Sequence, residues 1–326
     1  METRRRKRRR RRAAPVLLTI LFIAVALVAG YKCFVRPPEV DEPGSSTDPS
    51  DTQPSENEPA SPVNARKEYY YTILVYGVDD DNGGSDTNIL VGFDGANGTA
   101  NCVSIPRDTA IYLNGRTPKF NFAYNSGGAE QACQSAGDML GIPVDFYVEV
   151  DLQAFVDLVN AIGGVDFGVP VNMDYDDPFQ DLHIHFSKGL QHLDGRDALK
   201  VVRFRHNNNG SGYGTEDIGR IGTQQAFLKT VAQKMLQPAN LTKVGDYAKI
   251  FQQYVDTNLK LSDMAWFGEQ GIQMGTGNIN FYTLPGVWND ARGRYILDAD
   301  AALDMVNRCL NPYEADRTLS DMNIVG

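Results

Sequence analysis

The stretch YYYTILVYGVDDDNGGSDTNILVGFDGANGTANCVSIP, residues 69–106, decides the fold of this chain. It contains three apolar runs, at 69–79, 87–94 and 99–106, and the turn sequence GANG separates the last two. Short apolar runs that are rich in β-branched and aromatic residues and that end at glycine or aspartate are typical of buried β-strands. The stretch therefore predicts three successive strands, of which the second and third form a hairpin.

Downstream of this stretch, strand and helix patterns alternate. Apolar residues recur at helical spacing in 129–140, and 152–164 is typical of a helix that ends at a glycine pair. The remaining predicted elements are strands at 146–151, 165–171 and 279–286, a short helix running into a strand at 193–206, and helices at 217–236, 241–266 and 298–309. Because strands and helices interleave, we predict an α/β fold with a mixed central sheet flanked by helices on both faces.

The N-terminus predicts a membrane anchor. Residues 4–12 are consecutively basic, and residues 13–31 carry no charge. A bilayer core of about 30 Å needs roughly 20 apolar residues in helical form, and a basic flank stays in the cytoplasm. We therefore predict a cytoplasmic segment 1–12 and one transmembrane helix within 13–35, with the rest of the chain extracytoplasmic at the cell membrane. A cleaved signal peptide is the alternative, but no small-x-small site closes the apolar run.

A disordered linker, residues 36–66, is predicted between the anchor and a folded domain, residues 67–326, because it is rich in Pro, Ser, Asp and Glu and poor in apolar residues. The chain has 31 basic and 41 acidic residues. Setting aside the first 36 residues leaves 20 basic and 40 acidic ones. So acidic an exterior argues against nucleic acid as a partner, and it makes any local cluster of arginines more informative.

Cysteine is sparse, with four residues in the chain and no metal-site spacing. An extracytoplasmic location permits a disulfide, for which Cys102 and Cys133 are the expected pair. Two separate buried thiols are the alternative.

Charged side chains cluster where the predicted strands end. Asp79 follows the first strand, Asp86 opens the second, and Arg107 and Asp108 follow the third. In open α/β sheets, ligands bind beyond the carboxyl ends of the strands. We expect further polar residues to converge there, namely Lys119, Arg203, Arg205, Asp217, Arg220 and Gln224.

Arginine spacing suggests an anion site. Arg203 and Arg205 are two positions apart, so on a strand they would face the same way. Adjacent guanidinium groups repel unless an anion lies between them, and arginine suits bidentate phosphate binding. With Arg107 they could bind pyrophosphate, and Asp79 and Asp86 could hold Mg²⁺. Spacing alone leaves open surface arginines paired with carboxylates, and an ordinary acidic loop.

Two other groups remain ambiguous on spacing alone. Asp217, Arg220 and Gln224 share one face of the predicted helix 217–236, where they could line a pocket or serve as helix-start charge and capping. His183 and His185 could be a metal pair, but a solvated strand edge is the favoured interpretation.

The succession of motifs resembles the LytR-CpsA-Psr family of cell-wall enzymes. The motifs follow the family's order across residues 70–236 and are GVD, SDT, SIPRDT, KFNFAY, LGI, GGVD, LDGRDAL, RFRH and D-x-x-R-x-x-x-QQ-x-F-L. The basic start, single span and acidic spacer also fit the usual layout of the family.

The resemblance implies a phosphotransferase that attaches an anionic glycopolymer, such as teichoic acid or capsule, from an undecaprenyl-pyrophosphate carrier to peptidoglycan. It implies Mg²⁺ on Asp79 and Asp86. The residues implied to bind phosphate or line the same pocket are Arg107, Arg203, Arg205, Lys119, Asp217, Arg220 and Gln224. Asp108 is a candidate base. A pyrophosphate-lipid hydrolase and a non-catalytic glycan- or lipid-binding regulator are the alternative functions.

Two positions depart from the family pattern. Gly84 stands where the family usually has arginine before SDT, and Thr223 stands where it often has arginine before the QQ pair. The predicted site thus lacks one or two of the usual cations.

Overall fold

The computed structural model describes residues 35–40, 65–78, 85–178, 182–213 and 217–326. The described residues fall into two units, of which one lies within 48–259 and 271–326 and the other within 1–47 and 260–270. No helix of the described residues is long and apolar enough to cross a bilayer, and the predicted span at 13–31 lies outside them.

Strands and helices interleave along the described chain, as the sequence predicts. The strands are β1 (Tyr70–Val78), β2 (Ser85–Asp94), β3 (Thr99–Ser104), β4 (Phe146–Asp151), β5 (Val165–Val169), β6 (Met173–Asp177), β7 (Leu182–Phe186), β8 (Gly189–Leu193), β9 (Val255–Thr257), β10 (Ile279–Thr283), β11 (Gly286–Asn289) and β12 (Arg294–Leu297). The helices are α1 (Asn121–Leu140), α2 (Leu152–Ala161), α3 (Gly195–Arg203), α4 (Asp217–Met235), α5 (Pro238–Leu241), α6 (Val244–Tyr254), α7 (Leu261–Met274) and α8 (Ala299–Cys309).

Six strands form a mixed sheet in the order β10-β3-β2-β1-β4-β9. β2 is antiparallel to both β1 and β3, whereas β4 is parallel to β1 and β10 is parallel to β3. β1, β3, β4 and β10 therefore point the same way, and their carboxyl ends lie at one edge of the sheet. The predicted mixed sheet and the predicted β2–β3 hairpin are confirmed.

The sheet is buried on both faces. Leu74 of β1, Leu90 of β2 and Met139 of α1 belong to one core cluster. Ile73 and Ile89, the residues directly before Leu74 and Leu90, are also buried. Because successive residues of a strand point to opposite faces, both faces of β1 and β2 are covered. Full burial of each such side chain stabilises the fold by about 1.5–3 kcal/mol.

A second core cluster packs the antiparallel strand pair β5–β8 and the β6–β7 hairpin against α2, α3 and α4. It contains Phe167 of β5, Met173 of β6, Ile184 of β7 and Phe227 of α4. The rings of Phe167 and Phe227 meet edge to face, with centroids 5.1 Å apart. The β6–β7 hairpin was not predicted, because one face of each strand is polar and the apolar run is therefore broken.

Two sequence predictions were wrong. The segment after residue 203 is not a strand, because α3 continues to Arg203 and the extended Phe204 is its C-cap. Arg203 and Arg205 therefore do not share a strand face. The predicted helix 241–266 is also interrupted by β9, which pairs with β4. In both cases packing within the folded chain outweighs local propensity.

Helix α1 begins eight residues earlier than the pattern at 129–140 predicts. Gly127 and Gly128 have non-helical torsion angles within it, and Gly128 has a φ of 68°. Only the part after these glycines has regular helical spacing, which is why the sequence predicted that part alone.

The cysteines form no disulfide among the described residues. Cys102, Cys133 and Cys309 are free, so of the two alternatives the separate thiols are correct. Cys133 packs against the core cluster that contains Val103. Cys102 precedes Val103 on β3, so it points to the opposite face of the sheet. Burial raises the pKa of each of the thiols of Cys102 and Cys133 to about 12.

Candidate active site

A narrow cleft lies at the carboxyl edge of the central sheet. Its volume is about 10 Å³, roughly the room that one water molecule needs. The cleft brings together three predicted site residues, Arg107, Arg220 and Gln224. The residues that line it come from β2, from the end of β3 and the segment after it, and from α4, and they are Thr87, Asn88, Ser104, Ile105, Arg107, Arg220, Ile221 and Gln224.

Arg107, Asp108 and Lys119 form one ionic group beside this cleft. The Lys119 ammonium is 3.0 Å from Asp108 Oδ1, and Arg107 Nε is 3.6 Å from the same oxygen. The Lys119 Nζ also lies 5.7 Å from the centroid of the Trp288 ring. All three ionic side chains keep between 23% and 37% of their surface exposed. The group can therefore meet a ligand from solvent.

Backbone hydrogen bonds fix the spacing of this ionic group. The N–H of Asn121 donates to the carbonyl of Arg107 at 3.0 Å. Ala110 and Lys119 form an antiparallel bridge. The segment after β3 thus folds back on the residues before α1. This fold-back brings Lys119 to the Asp108 carboxylate, which Arg107 also contacts.

The start of helix α4 supplies the deepest cation of the cleft. Arg220 is only 2% exposed. Burial raises the pKa of the Tyr213 phenol, while the nearby Thr223 hydroxyl and the charge of Arg220 oppose that shift. Gly219 permits this packing, because a Cβ there would lie 2.3 Å from Cβ of Tyr213. The Arg220 side chain is consequently enclosed by the fold at the start of α4.

Two neighbouring glutamines on α4 have different partners. Gln224 Nε2 donates to the carbonyl of Val202, in the last turn of α3, at 3.1 Å. Gln225 Nε2 has three acceptors, Ser104 Oγ at 3.0 Å, the Tyr282 carbonyl at 2.7 Å and Thr283 Oγ1 at 3.2 Å. Gln224 therefore joins α4 to α3, and Gln225 joins α4 to the ends of β3 and β10.

The other predicted site residues lie differently. Arg203 is the last residue of α3 and directly follows Val202, so it lies one residue from the Gln224 contact, whereas Arg205 follows the helix and is exposed. Neither belongs to the described lining of the cleft. Asp79 lies outside the described residues, as do the side chains of Asp86 and Asp217. Asp86 follows Ser85, whose partner across the β1–β2 pair is Val78.

A tyrosine–carboxylate cluster supports the same edge of the sheet. Tyr76 of β1 donates to Glu149 Oε2 at 3.0 Å, and Tyr124 of α1 donates to Glu149 Oε1 at 2.8 Å. Burial, followed by the charge of Glu149, raises the pKa of Tyr76 far above its usual range. The phenol therefore stays protonated and ties β1 and β4 to the start of α1.

Sequence reasoning did not single out Asn88 or Trp288. Asn88 is 3% exposed and lines the cleft. A lone amide within the apolar run 87–94 was a usable signal, because a buried polar group needs a partner. No local pattern marks Trp288, which approaches Lys119 only through the β11–β12 hairpin.

Fold and site together define an α/β protein with a cationic cleft at the carboxyl edge of a mixed sheet. Residues 43–310 match the model of the LytR_cpsA_psr family. The chain therefore belongs to the LytR_cpsA_psr family, as its motifs predict.

The relatives support this membership. The chain is 31% identical over 257 residues to the polyisoprenyl-teichoic acid–peptidoglycan teichoic acid transferase TagV of Bacillus subtilis, covering 76% of this chain and 63% of TagV. The crystal structure of B. subtilis TagV superimposes with a TM-score of 0.59 at 29% identity, covering 72% of this chain and 92% of that one. The structure of TagT bound to LI-WTA gives a TM-score of 0.57 at 25% identity, covering 78% and 91%. The chain spans less than two thirds of the length of TagV.

Proposed function

We propose that the chain is a phosphotransferase that moves an anionic glycopolymer from an undecaprenyl-pyrophosphate carrier to peptidoglycan. The observation that carries this proposal is the convergence of Arg107, Arg220 and Gln224 in one cleft at the carboxyl edge of the sheet. The name of TagV describes a transferase of this type, and TagT has been seen bound to LI-WTA. A teichoic acid is accordingly the favoured polymer.

The proposed reaction is a single substitution at phosphorus. A sugar hydroxyl of peptidoglycan attacks the phosphorus that carries the glycan. The new P–O bond forms as the bond from that phosphorus to the bridging oxygen breaks, and polyprenyl phosphate leaves with the electron pair. The hydroxyl proton passes to solvent, and the product is a phosphodiester between glycan and peptidoglycan.

The cleft cations would stabilise the charge that develops in this reaction. Fixed cations and donors contribute most where charge grows in the transition state, here on the bridging and non-bridging oxygens. Arg107 and Lys119 are partly exposed and would meet the phosphates at the mouth of the cleft, whereas Arg220 is buried within it. Arg203 and Arg205 would bind outlying phosphate oxygens of the donor.

Asp108 is proposed as a positioning residue and not as the base. Its carboxylate oxygen is shared between Lys119 and Arg107. A carboxylate with two cationic partners is well suited to hold them at a fixed spacing. It is poorly suited to accept a proton from a neutral hydroxyl, because protonation would weaken both ion pairs.

Mg²⁺ is the proposed cofactor, with Asp79 and Asp86 as its ligands. Carboxylate and phosphate oxygens are the ligands that Mg²⁺ prefers. Asp79 comes directly after Val78 in the sequence and Asp86 directly after Ser85, and Val78 and Ser85 are cross-strand partners in the β1–β2 pair. When bound, the ion would neutralise charge on the pyrophosphate, alongside the arginines.

The predicted membrane anchor gives the proposal a spatial basis. The donor lipid lies in the membrane and the acceptor lies in the wall. A domain held by one span and an acidic linker at 36–66 would work between the two.

The test is a transfer assay with the full-length chain in detergent, a pyrophosphate-linked glycan lipid, peptidoglycan and Mg²⁺. We expect Arg107→Ala to lower peptidoglycan-linked glycan by roughly 10²-fold, the usual effect of removing one transition-state donor. Arg116→Ala is the matched control, because Arg116 is exposed and lies outside the described cleft. Free phosphorylated glycan as the product would mean a hydrolase, and bound lipid without turnover would mean a regulator.

A further inference from the structure

Outside the cleft, the β6–β7 hairpin carries two histidines and two aspartates in cross-strand register. Asp174 of β6 is paired with His185 of β7, and Asp176 is paired with His183. Because alternate residues of a strand share a face, all four side chains project from the same side of the hairpin. We call these four residues the His–Asp face.

The hairpin gives this face a firm support. Its other side is buried in the second core cluster, where Met173 is 2% and Ile184 is 1% exposed. The backbone of Asp176 is also held, because its N–H donates to Asn208 Oδ1 at 2.7 Å and its carbonyl accepts from Asn208 Nδ2 at 2.9 Å. Ligand sites need such rigid support to keep their geometry.

Metal-ligating atoms converge on the face. Asp176, His183 and His185 each offer one ligand atom, and these atoms lie within 4.8 Å of one another. Oδ1 of Asp176 contacts Nδ1 of His183 and lies 3.2 Å from Nε2 of His185. Small rotations of these exposed side chains would place all three atoms around one ion.

Asp174 supplies the orientation that a metal-binding histidine requires. Its Oδ1 lies 2.8 Å from Nδ1 of His185. A carboxylate that accepts a hydrogen bond from the N–H of one imidazole nitrogen leaves the lone pair on the other nitrogen, as is usual around metal-bound histidines. That other nitrogen, Nε2, is the one that faces Asp176.

We propose that the His–Asp face binds one Zn²⁺ ion through Nδ1 of His183, Nε2 of His185 and a carboxylate oxygen of Asp176, with water as the fourth ligand. Two imidazoles and one carboxylate in a tetrahedral arrangement suit Zn²⁺, whereas Mg²⁺ prefers oxygen ligands alone. These ligands differ in residue identity and chemistry from the proposed Mg²⁺ ligands Asp79 and Asp86, which are carboxylates only.

The chain contains a matched control for this proposal. In the antiparallel strand pair β5–β8, His192 Nδ1 lies 2.8 Å from Asp166 Oδ1, and the two residues are cross-strand partners. The His192 side chain is 59% exposed, close to the 54% of His183 and of His185. It is an exposed His–Asp pair of the same type, but it offers only two ligands.

The experiment is calorimetric titration of Zn²⁺ into the full-length chain, without a polyhistidine tag, after chelator treatment and with Mg²⁺ in excess to occupy carboxylate sites. We expect the wild type and His192→Ala to bind one more Zn²⁺ per chain than His183→Ala or His185→Ala. Zn²⁺ should also raise the unfolding temperature of the first two proteins and not of the other two. Circular dichroism confirms that each variant is folded.

Asp174→Asn tests the orienting role by itself. We expect it to keep the stoichiometry of the wild type and to weaken Zn²⁺ binding by about 10-fold to 100-fold, the usual effect of losing such a carboxylate. Equal Zn²⁺ stoichiometry in the wild type and His183→Ala would overturn the proposal, as would an equal loss of binding in His192→Ala.

Discussion

The cleft and the His–Asp face hold their charged groups in opposite ways. Arg220 is 2% exposed, and the residues that line the cleft with it come from β2, from the end of β3 and the segment after it, and from α4. His183 is 54% exposed at its side chain, and its neighbours on the face come from a single hairpin. A buried charge is tolerated only where the whole fold supports it, whereas an exposed charge needs only local geometry. Substitutions should therefore act globally in the cleft and locally on the face.

Arg220→Ala should have the largest effect. We expect glycan transfer to fall by about 10²–10³-fold, because a fixed cation is lost from the transition state. The free energy of unfolding should also fall by roughly 2–4 kcal/mol, because truncating a large buried side chain leaves a cavity. Transfer assays and urea unfolding measure the two effects. If Arg220→Ala kept both the stability and the transfer activity of the wild type, the proposed difference between the cleft and the His–Asp face would be wrong.

Asp108→Asn should have the next largest effect and should separate positioning from base catalysis. If Asp108 is a positioning residue, the substitution removes only its ion pairs to Lys119 and Arg107. We then expect transfer to fall by about 10-fold with an unchanged pH profile. As a general base, its loss would lower the rate by about 10²–10⁴-fold and remove the acid limb of the profile. The measurement is kcat/KM against pH in both proteins.

Gln225→Ala and Gln224→Ala test which of the two glutamines contributes more to the packing of helix α4. Gln225 loses three acceptors on the ends of β3 and β10, whereas Gln224→Ala loses one described hydrogen bond to α3. At about 1 kcal/mol for each hydrogen bond, we expect the free energy of unfolding to fall by roughly 1–3 kcal/mol for Gln225→Ala and by about 1 kcal/mol for Gln224→Ala. Urea denaturation of both variants checks this order, and the reverse order would mean that these bonds do not hold α4 in place.

The double variant His183→Ala/His185→Ala should have the smallest effect. In the absence of Zn²⁺, we expect the free energy of unfolding to change by no more than about 0.5 kcal/mol, as for most exposed positions. Transfer should remain within about 2-fold of the wild type, because neither residue belongs to the described cleft. A large loss of transfer would show that the face and the cleft are coupled.

Sequence patterns predicted the parts of the molecule in which local and long-range forces agree. The continuous apolar runs of β1, β2 and β3 could be buried strands and little else, and strand ends marked the edge where Arg107 lies. The spacing of Arg220 and Gln224 on one helix face needed only the helical repeat. These residues could be assigned before the fold was known.

Other features depended on packing that no local pattern records. The segment containing Arg203 and Arg205 has the alternation of a strand, but burial of Ala198 and Val201 in the second core cluster makes its first part a helix. The three acceptors of Gln225 come from distant strands. The histidine pair was visible in sequence, but the two aspartates opposite it emerged only from the β6–β7 register.

The most direct test of the account is one transfer assay that compares the full-length wild type, Arg107→Ala and the double variant His183→Ala/His185→Ala under the same conditions with Mg²⁺. The account predicts that peptidoglycan-linked glycan falls by roughly 10²-fold in the first variant and stays near the wild-type level in the second. Wild-type transfer by Arg107→Ala would contradict the assignment of the cleft as the site of phosphoryl transfer.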